Sequence, residues 1–261
     1  MVQQGTNQMV GKGTNQMTET ERSEKQWRSS YALGGVAALV VVFASVLDIV
    51  ISMLLGGDPS AIPQTAVDRF AQFQSNAWLG LYYLDLLNMT TAIIMIPAFY
   101  ALFAAHRHVN KVYAALAMLV SLIGTAVFIT NNTALPMLSL SGKYALASTD
   151  SQKNLLAAAG EAMLARGAHG SPGVFLGFLL PIVASLIMSF VMLQGGVFGK
   201  VNACFGIIGS ILFMTYFVFT SFLPEMGSVA MALAIPGGLL MIVWMTLFAI
   251  RLFKLRSIKN G

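Results

Sequence analysis

Charge is scarce in this chain. Only 10% of its residues are Asp, Glu, Lys or Arg, against 57% that are hydrophobic. Soluble domains carry roughly 25% charged residues, so the shortage excludes an ordinary water-soluble globule. It points to a polytopic membrane protein. Cysteine is nearly absent as well. The single copy, Cys204, lies inside an apolar segment, which excludes a disulfide framework or a cysteine metal site within the chain. Its setting reads as buried, inert packing. The three histidines are His106, His108 and His169. None falls mid-membrane, which argues against a bis-histidine haem in a bundle. His106 and His108 flank Arg107, and an i, i+2 pair points to different helix faces, so this cluster suits a membrane surface better than a metal. There is no nucleophile elbow, phosphate loop or HExxH pattern. The chain does not read as an enzyme, and no cofactor is implied. The net charge of +5 is no nucleic-acid signal, because the basic residues sit at the ends of apolar segments.

What is present is a set of long apolar runs. Six are expected to cross the bilayer, at about 31–55, 77–105, 112–133, 173–194, 201–223 and 228–253. A crossing helix needs ~20 apolar residues. Only helices span open-endedly, because lipid offers the backbone no partners. The fold expected is therefore all-α, a bundle of six transmembrane helices over 31–255. Residues 1–30 are polar and read as a disordered tail, and 256–261 as a short C-terminal tail. The first tail repeats Gly-Thr-Asn-Gln-Met at 5–9 and 13–17, which fits a duplication around a start codon at Met9 or Met17. The first apolar run is longer than a signal h-region and lacks a cleavage site. Of fifteen Lys and Arg residues, eleven fall on the N-terminal side, and Arg69, Lys143, Lys153 and Arg166 on the other. The positive-inside rule then predicts a cell-membrane protein with both termini cytoplasmic.

Two connections on the outer side are long. In the first, Thr65 with Asp68 reads as a helix start, and Val67, Phe70 and Phe73 would share an interfacial face. In the second, Thr149 with Gln152 is a capping pattern. Leu155, Leu156, Ala159 and Met163 follow at helical spacing, and Gly167 is a stop. The spacing predicts a helix over 150–166 lying on the outer mouth, either as a lid or as cover for loops. A short likeness between Lys111-Val112-x-Ala114 and Lys200-Val201-x-Ala203 fits chance or shared topology better than the parallel repeat some transporters carry. Gly173-x-x-x-Gly177 and Gly206-x-x-x-Ser210 predict close helix packing. Pro97, Pro181 and Pro236 are expected to kink or break three helices.

The run from Asn131, NNTALPMLSLSGKYALASTDSQKNLLAAAGEAMLARG, is followed by GVFLGF and then VMLQGGVFGKVNACFGIIG. With Ala158-Ala159-Gly160-Glu161-Ala162 and Phe198-Gly199, it resembles a bacterial family catalogued as domain of unknown function 4386. The resemblance covers most of the chain after the polar tail. It implies a six-helix bacterial membrane protein, and it brings no assigned activity and no site residues.

The candidate site is a set of polar residues in or near the outer half of the membrane. Asp48 and Asp85 fall at about one depth on two connected helices. An acid there is costly and marks function by default. As a pair they would share a proton or hold a cation. Alternatively each is protonated or bonded to Tyr82, Tyr83, Ser52 or Asn88, and only fixes packing. Asn88, Asn131 and Glu225 complete the candidate set, the last two also readable as helix caps at the water interface. Three classes of function follow. The first is a small transporter or carrier binding a small molecule, an ion or a lipid. The second is a non-enzymatic accessory protein that binds lipid or a partner protein. The third is an intramembrane enzyme, for which no constellation is found. The bilayer is the one partner read directly, and the sequence leaves oligomeric state open.

Overall fold

The computed structural model describes residues 19–55 and 62–257, and among them every regular element is helical. In chain order the α-helices are α1 Glu19–Leu54, α2 Ala66–Ser75, α3 Ala77–Tyr83, α4 Leu86–His106 and α5 Lys111–Asn131. They continue as α6 Ala134–Leu146, α7 Asp150–Gly167, α8 Pro172–Gly195, α9 Lys200–Phe222 and α10 Gly227–Ser257. A 3-10 turn, Pro224–Met226, joins the last two. The expected tail over 1–18, with its repeat, and residues 258–261 lie outside the described residues.

Six helices are long and apolar enough to cross a membrane: α1, α4, α5, α8, α9 and α10. Each packs on its neighbour in that series, and α10 closes onto α1. The result is a ring. An even number of crossings puts both its ends on one side, here called the terminal side; the other is the loop side. Ala38, Leu102, Met188, Trp244 and Phe248 are fully buried in its core. Small residues allow the close approaches. A Cβ at Gly177 on α8 would sit 2.9 Å from Phe128 Cα on α5, and one at Gly206 on α9 would sit 2.6 Å from Trp244 Nε1 on α10. Both predicted small-residue pairs thus serve packing within the bundle.

Two expectations are corrected here, for α1 and Cys204, and a third is narrowed. Pro97, Pro181 and Pro236 lie inside continuous helices, so none of them breaks its helix, because neighbouring helices tolerate the lost hydrogen bond. α1 begins at Glu19, inside the stretch read as disordered tail. Residues 19–30 are rich in Glu, Lys, Gln and Arg, good helix formers, and they extend a helix already nucleated by the apolar run. Cys204 is exposed on the outside of the bundle rather than buried. His106 is the last residue of α4, on the terminal side, and its ring is fully buried between helices, with Nδ1 2.8 Å from the Leu102 carbonyl and the ring stacked 5.0 Å from Phe198.

The loop side carries a second layer. α2, α3, α6 and α7 pack on one another around a separate core of Phe70, Phe73, Leu81, Leu84, Met137 and Leu164. This cap follows from local signals. The Thr65 hydroxyl accepts from Asp68 N–H at 3.2 Å, and the Thr149 hydroxyl from Gln152 N–H at 3.3 Å, both helix starts read from sequence. α7 ends at Gly167, where a Cβ would press on Thr133 Cγ2 at 2.5 Å. The glycine is there for a close approach, since its φ is not positive. Phe70 and Phe73 do not lie on the interface; they are 1% and 4% exposed, while Val67 is 41% exposed. α6 was not foreseen as a helix.

The expected second crossing, 77–105, is broken at Leu84–Asp85. Twenty-nine residues of helix would span about 43 Å, well beyond a ~30 Å hydrocarbon core. The excess is folded into α3, which packs on α2 and α6.

Candidate functional site

Asp85 occupies that break. Its φ is +62°, the one positive φ on a residue other than glycine among the described residues. Aspartate tolerates this region better than most residues, yet such a conformation costs about 1–3 kcal/mol and persists where its surroundings hold it. They do hold it. Asp85 N–H donates to the Tyr82 carbonyl at 3.1 Å. Asn132, just beyond α5, donates from Nδ2 to the Leu84 carbonyl at 2.8 Å, so the break leaves that carbonyl satisfied.

Asp85 stands immediately before α4, where an aspartate ordinarily caps the first turn with its side chain. Here the carboxylate makes no cap hydrogen bond. It is 5% exposed and turns elsewhere. Asn88 Nδ2 donates to Oδ1 at 2.8 Å. His169 Nδ1 stands 3.0 Å from both carboxylate oxygens. His169 comes from the connection between α7 and α8, outside the spanning helices. Its Nε2 is 3.3 Å from the Tyr216 hydroxyl on α9. The ring is wedged against Phe178, edge-on at 5.4 Å, and Phe217 at 6.3 Å, and its side chain is 40% exposed. A chain Asp85–His169–Tyr216 therefore joins three elements.

The electrostatics favour a charged pair. The adjacent Asp85 carboxylate raises the His169 pKa to about 10, against the opposing effect of desolvation. Nδ1 carries the hydrogen that faces the carboxylate, a tautomer assigned from geometry. Nε2 then donates to Tyr216 when the ring is protonated and accepts from its hydroxyl when it is not. The arrangement can hold a proton on one imidazole between Asp85 and Tyr216, and it passes that proton on at Nε2 as the half-buried Tyr216 hydroxyl gives up its own hydrogen to solvent. Arg69 of α2 adds a nearby positive charge. It is 5% exposed, donates to Gln72 Oε1 at 3.2 Å and lies 5.9 Å from the Tyr83 ring centre.

The sequence candidates divide. Asp85 and Asn88 are joined directly. Asp48 is half-buried on α1, its carbonyl accepting from the Tyr82 hydroxyl at 3.3 Å, within electrostatic reach of Asp85 and His169. Asn131 is turned away: its Oδ1 accepts from Arg166 Nε at 3.0 Å, and Arg166 Nη2 also donates to the Thr130 carbonyl at 2.6 Å. That pair fastens α7 to α5. Glu225 is exposed in the 3-10 turn, and among the described residues no hydrogen bond or ion pair ties it to the cluster. Sequence reading missed His169, Tyr216 and Arg69 as members. His169 lies 84 residues from Asp85, beyond any periodic signal. Its one hint was being the only histidine away from the terminal side. Among the described residues, no three His, Cys, Asp or Glu side chains are grouped as a metal site needs.

No curated protein and no solved structure matches the chain. A family model does match, over residues 36–251 and so over most of the sequence: the chain belongs to the family described as Domain of unknown function (DUF4386).

Proposed function

We propose that this integral membrane protein is a small carrier in the cell membrane, with both termini cytoplasmic, whose polar site in the outer half of the bundle works by moving a proton along Asp85–His169–Tyr216. One observation carries the reading: a buried carboxylate in a strained backbone conformation gives up its capping role to bind a histidine from another element. Strain of that kind gathers at functional sites, as do ionisable groups near membrane depth. Asp48 and Asn88 line the same region, where a small polar solute or an ion would meet them. Asn131, held by Arg166, and Glu225, exposed in the 3-10 turn, take no part in this reading.

The test uses vesicles reconstituted with the protein and loaded with a pH-sensitive dye. They are challenged with a panel of small polar solutes. Wild type gives a solute-triggered internal pH change, and Asp85→Asn and His169→Gln lose it while still inserting. Equal responses in wild type and both variants would sink the carrier reading.

A second reading has its own support. Trp78, Leu146 and Leu155 on the cap are 80%, 88% and 72% exposed, an apolar surface suited to an accessory protein that binds lipid or a partner. It expects both substitutions to be tolerated and a lipid or protein to co-purify.

A further inference from the structure

A second polar cluster lies in the terminal-side half of the ring, where α8, α9 and α10 meet. On α9, Asn202, Gly206 and Ser210 recur every four residues and so share one face. Asn202 is 3% exposed and Ser210 is fully buried. Ser185 and Ser189 of α8 and Trp244 of α10 are buried in the same region. Gly206 is the meeting point. A Cβ there would run into Ser189 Oγ and would lie 2.6 Å from Trp244 Nε1. Asn202 stands one helical turn toward the terminal side.

Each polar group can be followed to its partner. Ser185 donates to the Pro181 carbonyl at 2.9 Å, and Ser189 to the Ser185 carbonyl at 2.7 Å. Ser210 faces the Met241 sulfur at 3.8 Å. The serine hydroxyls have thus spent their hydrogens and keep lone pairs to offer. Asn202 Nδ2, Asn202 Oδ1 and Trp244 Nε1 find no protein partner among the described residues. All three are enclosed by a core that includes Met188, Ala203 and Phe248. An unpaired buried polar group costs about 1–3 kcal/mol, and native interiors seldom leave one unmatched. Three such atoms lie on two adjoining helices, two of them one helical turn from Gly206, where the third comes closest.

The chemistry of the set selects its ligand. The donors are the Asn202 amide and the Trp244 indole N–H; the acceptors are the Asn202 carbonyl oxygen and the Ser189 hydroxyl. None of these groups is ionisable near neutrality, so an ion would be buried without a counter-charge, at a large cost. Water donates two hydrogen bonds and accepts two, and it commonly fills polar interior sites with two to four partners. We propose that Asn202, Trp244 and Ser189 hold internal water, a second polar station between α8, α9 and α10. It stands about 21 Å from Tyr216 along α9, from 14 residues at 1.5 Å each. It rests on its own observations and does not depend on the carrier reading.

The chain has three tryptophans, so Trp27→Phe with Trp78→Phe leaves Trp244 as the sole indole. Ultraviolet resonance Raman spectra then report whether its N–H is hydrogen-bonded. The expected result is a bonded N–H in this background, and a free one once Asn202→Leu is added. Ser210→Ala, whose hydroxyl already faces Met241, leaves the signal unchanged. A free N–H with Asn202 intact overturns the proposal outright, and that arm needs no further variant to fold. A bonded N–H that persists in Asn202→Leu overturns the role of Asn202. Thermal melting gives a second readout of opposite sign. A dry site gains stability in Asn202→Leu, because two orphaned atoms are removed; a hydrated one does not.

Discussion

The ring and the cap come from one chain and solve burial in different ways. Even the most enclosed crossing candidate has only 39% of its most apolar window buried. The rest of that apolar surface is left to lipid, which costs nothing because hydrocarbon is as apolar as leucine. The cap builds a core of its own as well as leaving Trp78, Leu146 and Leu155 exposed. Phe70 and Phe73 turn inward, and Gly160 lets α7 approach Phe70 Cζ to within 2.7 Å of where a Cβ would stand. Apolar residues therefore mean different things in the two layers. In the ring they mark length; in the cap they mark facing.

The same substitution in each layer breaks that contrast most sharply. Phe70→Ala empties the cap core and is expected to cost about 3–5 kcal/mol. Differential scanning in detergent, with proteolysis of the loop side, reads the loss while the ring helices stay inserted. Next in size is the joint between the layers. Asp85→Asn keeps the backbone preference for a positive φ but removes the charged hydrogen bond to His169, a loss of about 1.5–3 kcal/mol. A drop in melting temperature as large as that of Phe70→Ala would mean that Asp85 holds the cap together as well.

The pH dependence sharpens the same point. His169 is raised from 6.5 to about 10 in the folded protein. Its contribution to stability is therefore complete below pH 6.5 and fades as pH climbs through about 10. Wild type should lose stability across that window, and His169→Gln should lack this component. A wild-type curve no steeper than that of the variant contradicts a charged pair. The smallest effect belongs to the ring. Phe43 is 70% exposed on α1, facing lipid, and Phe43→Ala should stay within about 0.5 kcal/mol. A loss approaching that of Phe70→Ala would show that Phe43 is covered by something other than lipid.

The ring was legible in the sequence because its signal is length. The ends expected for the third to fifth crossings fall within two residues of α5, α8 and α9. The cap was half legible. Thr65 and Thr149 announced two helix starts, while α6 carries no comparable cap: Thr133 makes no side-chain cap hydrogen bond. The site was least legible. Asp85 stood out as an acid in an apolar run. Its partner could not, because His169 and Tyr216 reach it only through the packing of distant elements. The break at Leu84–Asp85 gave no warning either, since no proline or glycine marks it; the prolines that drew attention sit in unbroken helices.

One consequence of that break is mechanical. The path from α3 to α4, the path from α5 to α6 and the path from α7 to α8 all leave helical geometry where the two layers meet. Asn132 stitches the first interruption to the second, and His169, on the third, is pinned to Asp85 on the first. The layers thus share a seam that is stapled by side chains rather than bridged by a continuous rod. A load applied to the cap would not be carried stiffly into the ring. It would be shared among the Asp85–His169 pair, the Asn132 bond to Leu84 and the Arg166 bonds to α5, and of these the first is the tie whose strength a change of protonation would alter.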